Sequence, residues 1–303
     1  MSSIHQLRLL NLHGKLHWLR NFSETHVFNL QREEDVKAKV LVLRTAGTNC
    51  DVETDVAFQL AGATTELVHI QNLISGNTDL SDYQILAIPG GFSYGDDIAA
   101  GILLAVEMKH KLRDALHQFV EKNKLIIGIC NGFQVLVRTG LLPGIEGIKE
   151  KTELSQTATL AMNTSAKFEC RWVELDTQQS QCVFTKGIKP QLYLPVAHAE
   201  GRFNAPNEVL AELESNKQVV FRYSNGKQSS SNNIDYPSNP NGSDADIAGI
   251  CDKTGRIFGL MPHPERFLTR YNHPRWTRED LPEEGDGLAI FKNAVEYVKA
   301  TFS

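Results

Sequence analysis

The stretch that decides the fold is "IIGICNGFQVL", residues 126–136. It begins as an apolar run typical of a buried strand and ends in a pattern typical of a helix, with Cys130 where the direction changes. Gly128 and Gly132 leave room for a tight turn, as in the Gly-x-Ser-x-Gly elbow of many hydrolases. The helix that follows favours a thiolate at Cys130, and the free backbone N–H of Asn131 can stabilise an oxyanion. Cysteine is more often a small buried hydrophobe, so both interpretations stay open on this stretch alone.

The segments before this turn alternate between strands and helices. Apolar runs predict strands at 39–44, 65–70, 83–91 and 125–130, and segments of helical or amphipathic spacing separate them at 51–63 and 97–122. Several of these strands are apolar throughout, which is typical of a parallel sheet covered by helices on both faces. We therefore predict an α/β fold, whose site lies beyond the carboxyl ends of the strands.

The second half of the chain has a different sequence pattern, with more strand-like runs. The sequence predicts strands at 157–163, 168–175, 192–203 and 218–224, a hairpin over 247–263 and a final helix at 287–302. The stretch 224–246 is rich in Ser, Asn, Gly and Pro and predicts a surface loop with little packed structure. We predict one domain over 39–303. Residues 1–38 are predicted to be an N-terminal extension of unknown role, with a transit peptide or an over-extended translation start as alternatives.

Composition excludes several classes of protein. The 303 residues carry a net charge of −5 with acids and bases interspersed, which argues against binding to nucleic acid. The five cysteines are odd in number and form no CxxC pair, which indicates a reducing, cytoplasmic setting. No apolar run is long enough for a membrane span, so we expect no membrane partner.

A thiol nucleophile needs a base and a group that orients the base. His263 ends a predicted strand in "GLMPHPER", and Glu265 lies two residues further on, where an extended segment points the same way. A solvated turn is the alternative for this tripeptide, and it is a poor metal site because it lacks a second ligand at i+4 spacing. Gly90 and Gly91 follow another strand and can turn a backbone N–H into the crevice, whereas "PGGFSYGD" fits neither glycine-rich nucleotide-binding pattern.

Seven motifs together carry a family resemblance. In chain order they are GTNCDVET, IPGGFSYGDD, GICNGFQVL, FECRWVEL, PVAHAEGRF, NPNGS and GLMPHPER. The chain thereby resembles the glutaminase subunits of phosphoribosylformylglycinamidine synthase, which are class I (triad-type) glutamine amidotransferases of purine biosynthesis. The resemblance implies a three-layer, flavodoxin-like α/β fold with a mostly parallel sheet. It also implies a catalytic triad of Cys130, His263 and Glu265, an oxyanion hole at Gly91 and Asn131, and a substrate-holding role for Gln134.

The same resemblance implies the reaction and its partners. Glutamine would be hydrolysed to glutamate and ammonia through a cysteine thioester. The ammonia would pass to a synthetase subunit that uses ATP and Mg, and a small bridging subunit could join the two. This chain itself would bind no cofactor and no metal. Cys50 in "GTNCD" also matches a family position, and we interpret it as structural. A stand-alone cysteine hydrolase or peptidase and a catalytically dead regulatory paralogue are the alternatives; "GLMPHPER" counts against the first and the complete triad against the second.

Overall fold

The computed structural model describes residues 37–144, 155–226 and 234–302, so most of the predicted N-terminal extension lies outside the described residues. The strands are β1 Lys39–Arg44, β2 Thr64–His69, β3 Ile85–Ile88, β4 Leu125–Ile129, β5 Thr159–Ala161, β6 Glu169–Thr177, β7 Gln191–His198, β8 Arg202–Asn204, β9 Val219–Ser224, β10 Ile247–Cys251 and β11 Ile257–Leu260. The helices are α1 Asp51–Leu60, α2 Ile70–Ile74, α3 Ile102–Lys111, α4 Arg113–Glu121, α5 Asn131–Thr139, α6 Asn207–Ser215 and α7 Leu288–Phe302. Within the described residues, every helix is too short or too polar to cross a membrane.

A mixed sheet forms the centre of the α/β fold, in the strand order β2-β1-β3-β4-β11-β10-β9-β6-β7. Neighbours from β2 through β11 run parallel, and those from β11 through β7 run antiparallel. All five residues of β4 are buried, as expected for a parallel strand covered on both faces. Because β3, β4 and β11 are adjacent and parallel, the loops that follow them meet at one edge of the sheet.

The helices lie in two layers around the parallel half of the sheet. The chain moves from β1 to β2 in one direction along the sheet and from β3 to β4 in the other. Right-handed crossovers therefore place α1 on one face and the pair α3 and α4 on the opposite face. Packing agrees with this arrangement, since α1 contacts α7 and α3 contacts α5. The α/β class predicted from the sequence is confirmed.

Several predicted boundaries were wrong. The amphipathic stretch 97–122 is two helices that meet at Leu112, and the run 192–203 divides into β7 and β8. That division has a steric reason, because a Cβ at Gly201 would lie 2.4 Å from the His198 ring, so the chain turns tightly there. The helices α2 and α6 had no predicted counterpart; in α6 only Leu213 is buried, which leaves almost no apolar pattern to detect.

The polar stretch before β10 is packed, so the prediction of a loop with little structure was wrong for residues 234–246. Asn239, Asn241, Ser243 and Asp246 are all buried. The Asn241 amide donates to the Gly201 carbonyl at 2.8 Å, and the Asn239 amide donates to the Asp246 carboxylate at 2.9 Å. Side-chain amides here replace the hydrogen bonds of regular structure, which a reading of composition alone cannot detect.

The helix α1 was predicted from the spacing of Val52, Val56 and Leu60, and these three residues are exposed at 57, 41 and 52%. The buried face instead carries Thr54 and the Ala57–Phe58 pair. The helical period was therefore read correctly, whereas the face that packs on the sheet was not.

Candidate active site

Three chain segments meet at the carboxyl edge of the parallel strands. Gly91 follows β3, Cys130 follows β4 and His263 follows β11, and these strands are neighbours in the sheet. The ring of His263 lies against the first of these segments, because a Cβ at Gly90 would come within 2.8 Å of its Cε1. The topology thus brings together groups that lie between 39 and 172 residues apart in the sequence.

Cys130 stands in a strained turn. Its φ of 52° and ψ of −103° are unusual for a residue with a side chain, and such strain costs on the order of 1–3 kcal/mol. The glycines on either side make the turn possible. A Cβ at Gly132 would lie 1.9 Å from the Ile88 carbonyl oxygen, and one at Gly128 would lie 2.5 Å from the Gly132 oxygen. The tight turn predicted from the pentapeptide is confirmed.

The surroundings of the sulfur come from α5, from the end of β7 and from the turn that follows β7. Cys130 is 5% exposed, and its Sγ lies 3.6 Å from the Ala197 carbonyl oxygen. The helix α5 begins at Asn131, so its first N–H groups lie beside the sulfur without helical acceptors. The Asn131 amide donates to the Gln134 side chain at 2.9 Å, and Gln134 donates to the Glu200 carbonyl at 2.6 Å. Both ends of the Gln134 amide are therefore engaged within the protein.

His263 and Glu265 form a buried pair. Nδ1 of His263 lies 2.6 Å from Oε1 of Glu265, and neither side chain is more than 2% exposed. Because a carboxylate only accepts, Nδ1 carries the proton, and Nε2 is left as the basic nitrogen. Burial by itself would lower the pKa of His263, but the opposite charges of Glu265 and of the Cys130 sulfur outweigh burial and raise this pKa well above its usual value.

The free nitrogen of His263 is the one available to Cys130. Nε2 is buried and makes no hydrogen bond of normal geometry with the residues that the structure describes. Cys130 is nevertheless close enough to stabilise the proton of the ring. Catalytic hydrogen bonds are often long before substrate binds and shorten in the complex. Cys130, His263 and Glu265 are therefore brought together in the order expected of a nucleophile, a base and an orienting carboxylate.

A second cysteine contacts the same imidazole. Cys50, at the N-terminus of α1, has its Sγ 3.9 Å from Nδ1 of His263, the nitrogen already bonded to Glu265. Arg266 donates to this sulfur at 2.9 Å. The contact of Cys50 with the candidate triad was not predicted, because Cys50 and His263 lie 213 positions apart. The only available signal was that Cys50 also begins a helix after a parallel strand.

Cys50, His263 and Glu265 offer metal-ligand atoms that lie within 4.8 Å of one another. Their present bonds do not favour a cation at this point. The guanidinium of Arg266 already contacts the sulfur, and the carboxylate of Glu265 already binds Nδ1. These contacts instead fix the imidazole in one orientation.

The loop after β3 brings backbone close to these groups. Gly91 has a φ of 142°, and a Cβ there would lie 2.7 Å from both Asn49 N and Gly47 O. Only glycine fits such an approach, which keeps the backbone of this loop unobstructed beside the imidazole. Gly91 and Asn131 thus lie beyond the carboxyl ends of the adjacent strands β3 and β4.

Comparisons with known proteins extend this description. The family described as "CobB/CobQ-like glutamine amidotransferase domain" matches residues 37–298. A phosphoribosylformylglycinamidine synthase subunit PurQ from Dehalococcoides mccartyi is 52% identical over 264 residues, covering 87% of this chain and 98% of the relative. A PurQ subunit from Methanococcus maripaludis is 47% identical over 272 residues, covering 86% and 98%. The structure of PurLQS from Thermotoga maritima contains a chain that is 30% identical with a TM-score of 0.64, covering 86% of this chain and 99% of that one.

Proposed function

The chain belongs to the CobB/CobQ-like glutamine amidotransferases and, among them, to the glutaminase subunits of phosphoribosylformylglycinamidine synthase, and we propose that Cys130, His263 and Glu265 carry out its glutamine hydrolysis. The observation that carries this proposal is the state of the imidazole. Nδ1 of His263 is bonded to Glu265 at 2.6 Å, while Nε2 is buried without a partner among the described residues. One basic nitrogen therefore remains for the thiol of Cys130.

In the first half-reaction, the proton of the Cys130 thiol passes to Nε2 of His263, which the raised pKa of the imidazole favours, and Sγ then attacks the carboxamide carbon of glutamine. The imidazolium then gives this proton to the departing nitrogen as the C–N bond breaks, which releases ammonia and leaves a γ-glutamyl thioester. Glu265 balances the positive charge of the ring throughout, and the raised pKa of His263 reflects this stabilisation.

In the second half-reaction, Nε2 takes a proton from a water molecule that attacks the thioester carbon. Glutamate leaves as the C–S bond breaks, and the proton returns to the sulfur. Both half-reactions pass through an oxyanion. The backbone N–H groups of Gly91 and Asn131 are the proposed donors to it, since α5 begins beside the sulfur and its first N–H groups are free. Gln134 shapes the substrate pocket from one helical turn further on.

The ammonia requires an acceptor subunit. We propose that a synthetase subunit, with a small bridging subunit, receives it and performs the ATP- and Mg-dependent step, while this chain itself binds no cofactor. The Thermotoga maritima PurLQS assembly supports such an arrangement. Five free thiols, at Cys50, Cys130, Cys170, Cys182 and Cys251, favour a cytoplasmic setting.

An apolar rim around the site fits this partner. The rim consists of the exposed residues Phe92 and Phe168, and two further exposed residues, Ile98 and Met162, each lie six positions from one of them in the sequence. Phe92 directly follows Gly91, and its ring stacks on Phe168 with centroids 6.5 Å apart. Exposed apolar residues grouped around a site indicate protein contact. A partner seated on the rim would keep water away from the departing ammonia.

The central experiment compares two cysteine variants in the complex reconstituted with the synthetase subunit. Cys130→Ala should abolish synthesis driven by glutamine and spare synthesis driven by added ammonia, because the triad only generates ammonia. Cys50→Ala is the comparison, since it removes the other sulfur beside His263 but not the nucleophile; it should retain glutamine-driven synthesis at a reduced rate, because the ring is held less firmly. A glutamine-like electrophile should label Cys130 and not Cys50, as read by peptide mass spectrometry. Equal loss of both activities in Cys130→Ala would contradict the proposal, as would labelling at Cys50.

The rim is tested by binding. Phe168→Asp should weaken association with the synthetase subunit at least 10-fold, because it places a charge in the apolar contact. Val56→Asp, on the exposed face of α1, is the control and should bind as the wild type does. If only Val56→Asp lost affinity, the interface would lie on α1 instead of around the site.

A further inference from the structure

His198 is a buried histidine at the end of β7 that the proposed reaction does not use. It is 3% exposed, and its Nδ1 lies 3.2 Å from Oδ1 of Asn163. The amide nitrogen of Asn163 donates to the carbonyls of His198 and Lys167, each at 2.9 Å, so its oxygen is the atom that faces the ring. Since an amide oxygen only accepts, Nδ1 of His198 carries the proton and Nε2 carries a lone pair.

That lone pair has no partner. Nε2 of His198 is buried and makes no hydrogen bond with the residues that the structure describes. Buried polar atoms are nearly always hydrogen-bonded in folded proteins. A buried acceptor of this kind identifies a place where an N–H or O–H donor fits.

The position of His198 connects this acceptor with the reacting groups. The preceding residue, Ala197, has its carbonyl oxygen 3.6 Å from Sγ of Cys130. Two residues after His198, the Glu200 carbonyl accepts a hydrogen bond from the Gln134 side chain at 2.6 Å. The carbonyls of Ala197 and Glu200 therefore border the space beside the sulfur on either side of His198 in the chain, and His198 is near enough to His263 to feel its charge; we refer to residues 197–200 as the wall of this space.

The imidazole of His198 is neutral at working pH. Burial is the main cause that lowers its pKa to about 3, and the positive charge of His263 lowers it further. A neutral ring whose only proton is held by Asn163 can accept a hydrogen bond at Nε2 and cannot donate one there. The donor that it selects must supply its own hydrogen.

Building on the proposed glutaminase function, we infer that Nε2 of His198 accepts an N–H of the substrate carboxamide. The carboxamide is preferred over the α-ammonium of glutamine because it is the group attacked by Cys130, whose sulfur lies against the wall that contains His198. An ammonium would also be better paired with a carboxylate than with a neutral ring. His198 thus recognises the amide itself.

This contact has two chemical consequences. It holds the NH₂ group so that the carbonyl carbon faces the sulfur, and it disfavours groups that have oxygen in place of NH₂, such as the γ-carboxylate of the product. After the C–N bond breaks, the same acceptor can hold ammonia without protonating it. Ammonia therefore remains the uncharged nucleophile that a synthetase needs.

The test measures the choice between an amide and an ester in the reconstituted complex. The selectivity is the kcat/KM for glutamine divided by the kcat/KM for the γ-methyl ester of glutamate, which has no N–H at the leaving group. His198→Leu should reduce this ratio roughly 10- to 100-fold, the effect of leaving one buried hydrogen bond unmade. The intrinsic reactivity of the ester cancels because both enzymes see the same two substrates.

His198→Gln should recover part of the selectivity, because its side-chain oxygen can accept the same N–H. His117→Leu is the matched control. His117 is also buried with an unpartnered Nε2, but it lies in α4, away from the site. The selectivity of His117→Leu for glutamine over the ester should therefore equal that of the wild type. An equal loss on both substrates in His198→Leu would overturn the inference and leave a structural role. Failure of the wild type to hydrolyse either substrate would instead overturn the proposed function.

A second measurement does not depend on any His198 variant folding. In Cys130→Ala, which has no nucleophile, the ¹⁵N resonance of Nε2 of His198 should move to lower frequency when glutamine is added. That direction is the usual response of an imidazole nitrogen that begins to accept a hydrogen bond. The γ-methyl ester should leave the resonance in place. Equal responses to both compounds, or none to saturating glutamine, would overturn the assignment.

Discussion

Acid should destabilise this fold through His198 by an amount that the structure allows us to work out. The pKa of His198 is lowered from 6.5 to about 3. His198 therefore stays neutral in the folded protein at a pH near 6.5, where it becomes protonated in the unfolded chain. Because the pKa of this basic group is lower in the folded state, the unfolded state binds more protons. The contribution of neutral His198 to the free energy of unfolding is therefore complete above pH 6.5 and is lost as the pH falls.

The magnitude follows from linkage. Between pH 8 and pH 5, the unfolded state gains about 2 kcal/mol from protonating this one residue, while the folded state gains almost nothing. The variant His198→Leu lacks this contribution and should lose about 2 kcal/mol less than the wild type over the same interval. His263, whose pKa is raised and whose effect has the opposite sign, is present in both proteins and cancels in the comparison.

Urea unfolding of the full chain at pH 8, 6.5 and 5, followed by circular dichroism, provides the measurement. The quantity compared is the change in the free energy of unfolding with pH, so a different starting stability of the variant does not affect the result. The dependence of this free energy on urea should be the same for both proteins, as required for a common unfolded state. Parallel pH profiles for the wild type and His198→Leu would refute the reasoning and mean that His198 takes up a proton in the folded state.

Three further outcomes are expected. Glu265→Gln should slow single-turnover glutamine hydrolysis on the order of 10- to 10⁴-fold, yet remain more active than His263→Ala, because glutamate orients the ring that moves the proton; near wild-type rates would point to another carboxylate. Gly132→Ala should lower the melting temperature and abolish activity, because its Cβ would meet the Ile88 oxygen at 1.9 Å, whereas Gly76→Ala, which has nothing within 4 Å and only the strain of a φ of 77°, should cost less and leave activity intact; equal losses would contradict the packing argument. Deleting residues 1–37 should change glutaminase activity only a few-fold, since β1 begins at Lys39, and an insoluble product would show that the segment contributes to the fold.

Local sequence patterns predict the parallel half of the fold well. β1 was predicted with its observed bounds, and the predicted β4 is one residue too long at its C-terminal end. Both were predictable because strands buried on both faces leave an uninterrupted apolar run. The turn at Cys130 was equally predictable, since glycines two residues away on each side are what a strand that turns into a helix requires. These features depend on neighbours in the sequence, which is the information that a local pattern contains.

Features that depend on distant partners were not predictable in this way. The exposed face of α1 repeats Val52, Val56 and Leu60 as a core-facing helix would, and only the position of the sheet shows that the other face is buried. Buried asparagines such as Asn241 look like loop residues until their acceptors are known. The lone pair of His198 is a further case, because its tautomer is fixed by Asn163, 35 residues away.

The two cysteines beside His263 show why geometry, and not proximity alone, assigns the roles in this site. The Cys50 sulfur lies 3.9 Å from the ring, yet that contact is to Nδ1, which already gives its proton to Glu265. A nitrogen so engaged cannot act as a base. Cys130 lies in the strained turn at the start of α5 and is left with Nε2, the one nitrogen that can take its proton. Arg266 donates to the Cys50 sulfur, so Cys50 and Arg266 together buttress the Nδ1 side of the ring and leave Nε2 free for its proposed role toward Cys130.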